Sequence, residues 1–110
     1  AREGVDVVLL DKQQPGQGST SASTGLLQYE VDVPLCELIR TVGEDRAVKA
    51  YRRGLLAIDE LHALTEEVGK SGFDRRQALY FASSRWHVSR LREEYDCRQQ
   101  FGGDDFFAQG

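Results

Sequence analysis

The chain of 110 residues contains no methionine. Residue 1 is therefore not a natural start, and the sequence reads as a piece whose beginning is missing. No apolar stretch approaches the roughly 18 residues of a membrane-spanning helix, so no span is expected. The opening AREG leads straight into an apolar run and does not read as a signal peptide. Basic charge is in deficit: 14 Lys and Arg stand against 18 Asp and Glu, which disfavours a nucleic-acid binder. Cysteine is scarce. Cys36 and Cys97 lie far apart with no CxxC, and read as two reduced thiols in a cytoplasmic protein. The two histidines, His62 and His87, have no partner at metal-ligand spacing, so no metal is expected and packing or surface roles are. There is no internal repeat. What remains, 29% charged and 40% hydrophobic residues, is a chain that folds rather than one that stays disordered.

The chain is punctuated by glycine. AREG resembles the last turn of a helix with Gly4 just past its end, and VDVVLL (residues 5–10) reads as a short branched strand covered on both faces. Helix, glycine and buried strand form the second half of a βαβ unit. Residues 13–25 form a loop broken by Pro15, Gly16, Gly18 and Gly25 and rich in hydroxyls. Residues 26–33 alternate irregularly and read as extended or mixed. Pro34 opens a short helix over 35–42, closed by Gly43. The strongest helical pattern covers 45–68, where Val48, Tyr51, Leu55, Ile58, Leu61 and Val68 recur at steps of three or four. Gly54 inside it lowers helix propensity and marks a place where another segment packs closely. Lys70 to Arg76 is a polar connection, and the Arg-rich FDRRQALY around it reads as a solvated loop. ALYFAS (78–83) reads as a second strand. Ser84 is placed to cap a helix over 85–100 that carries Val88, Leu91 and Tyr95 on one face. Gly102 and Gly103 end it, and 104–108 reads as the start of another strand. Tyr80 and Trp86 read as packing residues. The fold class is α/β.

Asp11 follows the first strand directly. In a dinucleotide-binding βαβ unit the second strand ends in an acid whose two oxygens accept hydrogen bonds from vicinal ribose hydroxyls. The glycine-rich turn that completes such a unit would precede residue 1. Past Asp11, GSTSASTGLL supplies backbone N–H groups and small side chains that let a loop approach phosphate and sugar closely. The bland reading is a serine-rich linker, but Leu26 and Leu27 then anchor its far end in a core.

The stretch VVLLDK…GSTSASTGLLQYEVD resembles the second strand and following loop of FAD-dependent oxidoreductases of the D-amino-acid oxidase and glycine oxidase type. The resemblance runs on through the long helix, the LYFAS segment and the next helix. It implies a partial Rossmann-like FAD-binding domain over 1–69 (second strand, cofactor loop, long helix) and the start of a substrate domain over 70–110. It also implies FAD as cofactor. Asp11 would bind the adenosine ribose, with Lys12 near the adenine. Ser19 and Thr20 would lie by the pyrophosphate, and Ser23, Thr24, Gly25 and Leu26 along the ribityl chain and the isoalloxazine edge. The activity implied is oxidation of an amine or amino acid by hydride transfer to FAD, with that small molecule as partner. No catalytic residue is transferred. An NAD-dependent dehydrogenase would use the same acid but has no need of the hydroxyl loop and long helix. A non-enzymatic helical module would leave Asp11 and GSTSAST without a role. An open strand edge at 5–10 and the long helix are surfaces for homo-oligomerisation.

Overall fold

Helix α1, Leu35–Val42, begins where Pro34 fixes its backbone at φ −51°. The amides of a first helical turn have no partner within the helix. Here two of them are met from far along the chain: Leu35 N–H donates to Glu94 Oε1 at 2.8 Å and Cys36 N–H to Glu94 Oε2 at 3.0 Å. Gly43, at φ 87°, ends α1 and starts α2, Glu44–Glu67, in a single residue. Glu44 and Asp45 in the first turn of α2 suit its positive end. Helix α3, Val88–Gly102, is led in by a 3-10 turn at Arg85–His87 and followed by another at Gly103–Phe106. A further 3-10 turn lies at Gly18–Ala22. In this computed structural model the described residues are 3–30, 32–69 and 72–106.

Both α2 and α3 pack on α1. The core is small: Leu35, Ala47, Tyr51, Leu55 and Phe106 are buried, with Tyr29, Leu38, Ile39, Val48, Cys97 and Phe101 half-buried around them. Ala47, Tyr51 and Leu55 are one turn apart on α2. Of the stripe read from the sequence, Tyr51 and Leu55 are buried and Val48 and Ile58 half-buried, while Leu61 and Val68 are exposed. Tyr29, Tyr51 and Phe106 form an aromatic triangle with centroids 5.7 to 6.1 Å apart. Gly54 serves the close approach expected of it, because a Cβ there would stand 2.6 Å from the Tyr29 carbonyl oxygen.

The α/β class is overturned. All regular structure among the described residues is helical, and none of the expected strands forms. Residues 5–10 run without a ladder partner, with Val8 81% and Leu10 88% exposed. A strand satisfies its N–H and C=O groups on a neighbour, and no other described segment forms a ladder with this one. ALYFAS fails for the same reason, and Leu79 and Phe81 point into solvent. The expected strand at 104–108 is a 3-10 turn as far as Phe106, which drives that ring into the core; Phe107 and Ala108 lie outside the described residues.

Two details at α3 also differ. The Ser84 side chain caps nothing, and it is the Ser84 carbonyl that accepts from His87 N–H at 3.0 Å. Val88 and Tyr95 are exposed, and the face turned inward carries Glu94 and Arg98 instead. At the amino end Gly4 has the positive φ expected of it, while Ala1 and Arg2 lie outside the described residues.

Candidate functional site: the hydroxyl loop and the adjoining cavity

Asp11 Oδ1 accepts the Gln13 N–H at 2.9 Å, which closes a small turn and fixes the carboxylate on the surface. The loop beyond is held by its own short hydrogen bonds. Ser21 Oγ donates to the Gly18 carbonyl at 2.7 Å, and Ser23 N–H donates to the Thr20 carbonyl at 3.3 Å. Gly25 N–H donates to Ser23 Oγ at 3.2 Å and Leu26 N–H to Thr24 Oγ1 at 3.5 Å. Serine and threonine bond here to nearby backbone in place of helix or sheet. Gly18 and Gly25 sit at positive φ, and a Cβ on Gly25 would meet open space. The segment from Asp11 to Leu26 is exposed throughout.

The far end of the loop opens on a cavity of about 860 Å³. Its walls are residues 24–30, residues 72–80, and the Leu91–Arg98 face of α3 with Phe106. Of the eight residues expected to bind cofactor, Thr24, Gly25 and Leu26 line this cavity. Asp11, Lys12, Ser19, Thr20 and Ser23 are not among its walls and lie on the open loop.

A charged cluster closes the inner wall. Arg98 donates from Nε to Glu94 Oε1 at 2.7 Å, and from Nη1 to Tyr29 Oη at 2.8 Å and Glu30 Oε1 at 3.2 Å. Tyr80 Oη donates to the same Glu30 oxygen at 2.8 Å, and Tyr29 Oη to the Phe106 carbonyl at 2.6 Å. The Arg98 guanidinium carbon lies 4.8 Å from the centre of the Tyr80 ring. The side chains of Arg98, Glu94 and Glu30 are 6%, 9% and 11% exposed.

Burial disfavours the Glu94 charge, yet the Leu35 N–H, the Arg98 guanidinium and the Cys36 N–H together hold its carboxyl below the ordinary range. Burial likewise opposes the Arg98 charge, and its bond to Glu94 overcomes this and raises it. Burial pushes the Tyr29 hydroxyl up to about 12, against the pull of Arg98.

The sequence gives no pointer to this cluster. Glu94 and Arg98 stand at i and i+4, a spacing that ordinarily marks a solvated ion pair on a helix surface. Glu30 and Tyr80 are 50 residues apart. His62 stacks on Phe73 with centroids 4.7 Å apart, and His87 is exposed, with its Nδ1 3.1 Å from Ser83 Oγ. Trp86 is exposed. Both cysteines are free thiols. No helix among the described residues is long and apolar enough to cross a membrane.

The loop suits a flavin dinucleotide in its chemistry. It presents an accessible carboxylate for sugar hydroxyls, small side chains, and glycine positions where a ligand can come close to the backbone. A family model described as FAD dependent oxidoreductase (DAO) matches residues 1–108. No curated protein and no solved structure gives a significant match. With nearly the whole length matched, the chain belongs to the DAO family of FAD-dependent oxidoreductases.

Proposed function

We propose that the chain supplies the adenosine side and the ring edge of the flavin site in an enzyme of the D-amino-acid oxidase and glycine oxidase type, acting on an amine or amino acid. Residues 1–69 belong to the flavin-binding unit and 70–110 open the substrate unit. One observation carries this reading: a single self-bonded loop joins an exposed carboxylate, Asp11, to three residues on a cavity wall, Thr24, Gly25 and Leu26. A nucleotide lying along that loop has its sugar at one end and open space for a reactant at the other.

Asp11 would hold the ribose hydroxyls and Lys12 would lie by the adenine. The Ser19–Thr20 turn would face the pyrophosphate, and Ser23 to Leu26 the ribityl chain and ring. Bound there, FAD supplies the acceptor for hydride from the carbon bearing nitrogen. The protein's share is to orient the two and to exclude water.

The test is flavin affinity. Asp11→Ala is expected to weaken FAD binding by roughly 1–3 kcal/mol, the scale of a charge-assisted hydrogen bond lost. Fluorescence titration reads this directly, and an unchanged affinity removes the ribose role.

A further inference from the structure

We propose that the outward face of α2 pairs antiparallel with the same face of a second copy of this chain, about a two-fold axis between Leu56 and Ala57.

Ala47, Tyr51 and Leu55 turn one side of α2 to the core. The opposite side is exposed, and its charge changes sign along the helix. Arg46, Lys49 and Arg53 occupy the amino-terminal half, Leu56 and Ala57 the middle, and Glu60, Leu64 and Glu67 the rest. At about 3.6 residues per turn these positions share one stripe roughly 100° wide. Their spacing is the same read from either end, so a two-fold axis at the middle maps the stripe onto itself. It sets Arg53 of each copy opposite Glu60 of the other, with Arg46 beside Glu67. Leu56 meets Ala57 at the axis, and Leu64 meets the aliphatic stem of Lys49.

The charges on the flanks of α2 are answered within the chain. Arg52 donates to the Phe101 carbonyl at 3.1 Å, Arg75 pairs with Asp59, and His62 Nε2 lies 3.9 Å from Glu66. On the outward stripe Arg46, Lys49, Arg53 and Glu60 have no ion pair among the described residues. The order of charge also runs against α2 itself. A helix favours bases in its last turn, yet Glu66 and Glu67 close α2 with no basic residue in that turn. Beside an antiparallel copy these acids face the positive helix end and Arg46 of the second molecule. In parallel order like charges would meet along the whole stripe. A single helix face is at the low end of interface sizes, so the dimer is weak and sensitive to salt. None of these side chains lines the cavity, so pairing and ligand binding use separate surfaces.

Sedimentation velocity on the full chain tests the pairing. At about 20 mM salt a dimer is expected, weakened at least roughly tenfold at about 0.5 M. Apolar pairing through residues 5–10 does not weaken with salt, so ionic strength separates the two contacts. Arg53→Glu and Glu60→Arg each turn two attractions into repulsions, and each is expected to weaken the low-salt dimer by about tenfold or more. Both side chains are exposed, so the helices persist, which circular dichroism checks. Both substitutions in one chain swap the pair and are expected to restore the dimer. An equal mixture of the two single variants is expected to pair more tightly than either alone, because each supplies the charge the other lacks.

A chain with no salt-sensitive dimer overturns the proposal. So do single variants that pair as the wild type does, and so does a combined variant that pairs no better than its single parents.

Discussion

Glu94 joins three parts of the molecule through two oxygens. It accepts the first two amides of α1, neutralises Arg98, and so ties α3 to the start of α1 across 59 positions of sequence. Removing it takes the closer of two carboxylates from the buried Arg98 guanidinium, leaving Glu30 alone, and leaves two helix amides without their partner. Glu94→Ala is therefore expected to cost about 3–5 kcal/mol, read from urea unfolding. The same carboxyl sets an acid limit. Its folded value is depressed, so its stabilisation is complete above the unfolded value of about 4.3 and drains away as pH falls through the folded one. Stability measured from pH 6 downward should fall steeply in the wild type and more shallowly in Glu94→Gln. Cys36 shows the opposite shift. Burial first, then the neighbouring Glu94, raises its thiol to about 11. At pH 8 it should carry roughly a hundredfold less thiolate than an ordinary thiol at 9, and react with iodoacetamide correspondingly slowly. Alkylation at the rate of a free peptide thiol would contradict this burial.

At the scale of elements, α2 shows how far sequence alone reaches and where it stops. Its start after Gly43 and its end near Gly69 are local properties, and they read correctly within a residue or two; its apolar period finds the buried face at Tyr51 and Leu55 but not at Leu61 and Val68, which are exposed. Gly54 was legible too, as a residue that local propensity alone does not favour in a helix. Glycine to alanine in an exposed helix interior would gain about 1 kcal/mol. Here the added methyl meets the Tyr29 backbone at 2.6 Å, and backbone cannot swing aside. Gly54→Ala is therefore expected to destabilise by about 1–3 kcal/mol by thermal or urea unfolding, while Gly72→Ala, with open space around it, stays near neutral. The strands were not legible as such, because a strand is a property of a pair of segments. VDVVLL and ALYFAS have the composition of strands, and among the described residues they have no partner. Within the site, it was the family resemblance that named Thr24, Gly25 and Leu26, and these three line the cavity. The Glu30–Arg98–Glu94 cluster stayed hidden because Glu30 joins the α3 pair from 68 positions away.

The molecule as a whole is wider than its length requires. A compact domain of this size has a radius of gyration near 13 Å by the usual scaling, whereas this chain has 17.6 Å and extends 49 Å along its longest axis. The difference lies in the stretches that run free of the helices. Val7, Val8, Leu9 and Leu10 form a continuous apolar run with 71% to 88% of each side chain in water. Extended, apolar backbone with open hydrogen-bonding groups is a template for pairing with another strand. The expected consequence is concentration-dependent association through residues 5–10. Light scattering should show mass rising with concentration in the wild type. The double substitution Val8→Lys and Leu10→Lys should suppress that rise, because charge on an open edge blocks pairing without touching the core. Hydrogen exchange supplies the positional readout. Amides 5–10 should gain protection as association proceeds, while those around Tyr51 and Leu55 are protected at every concentration. A strict monomer at high concentration, or protection gained on α2 with none at 5–10, would place the contact elsewhere. In that case the apolar run is simply exposed.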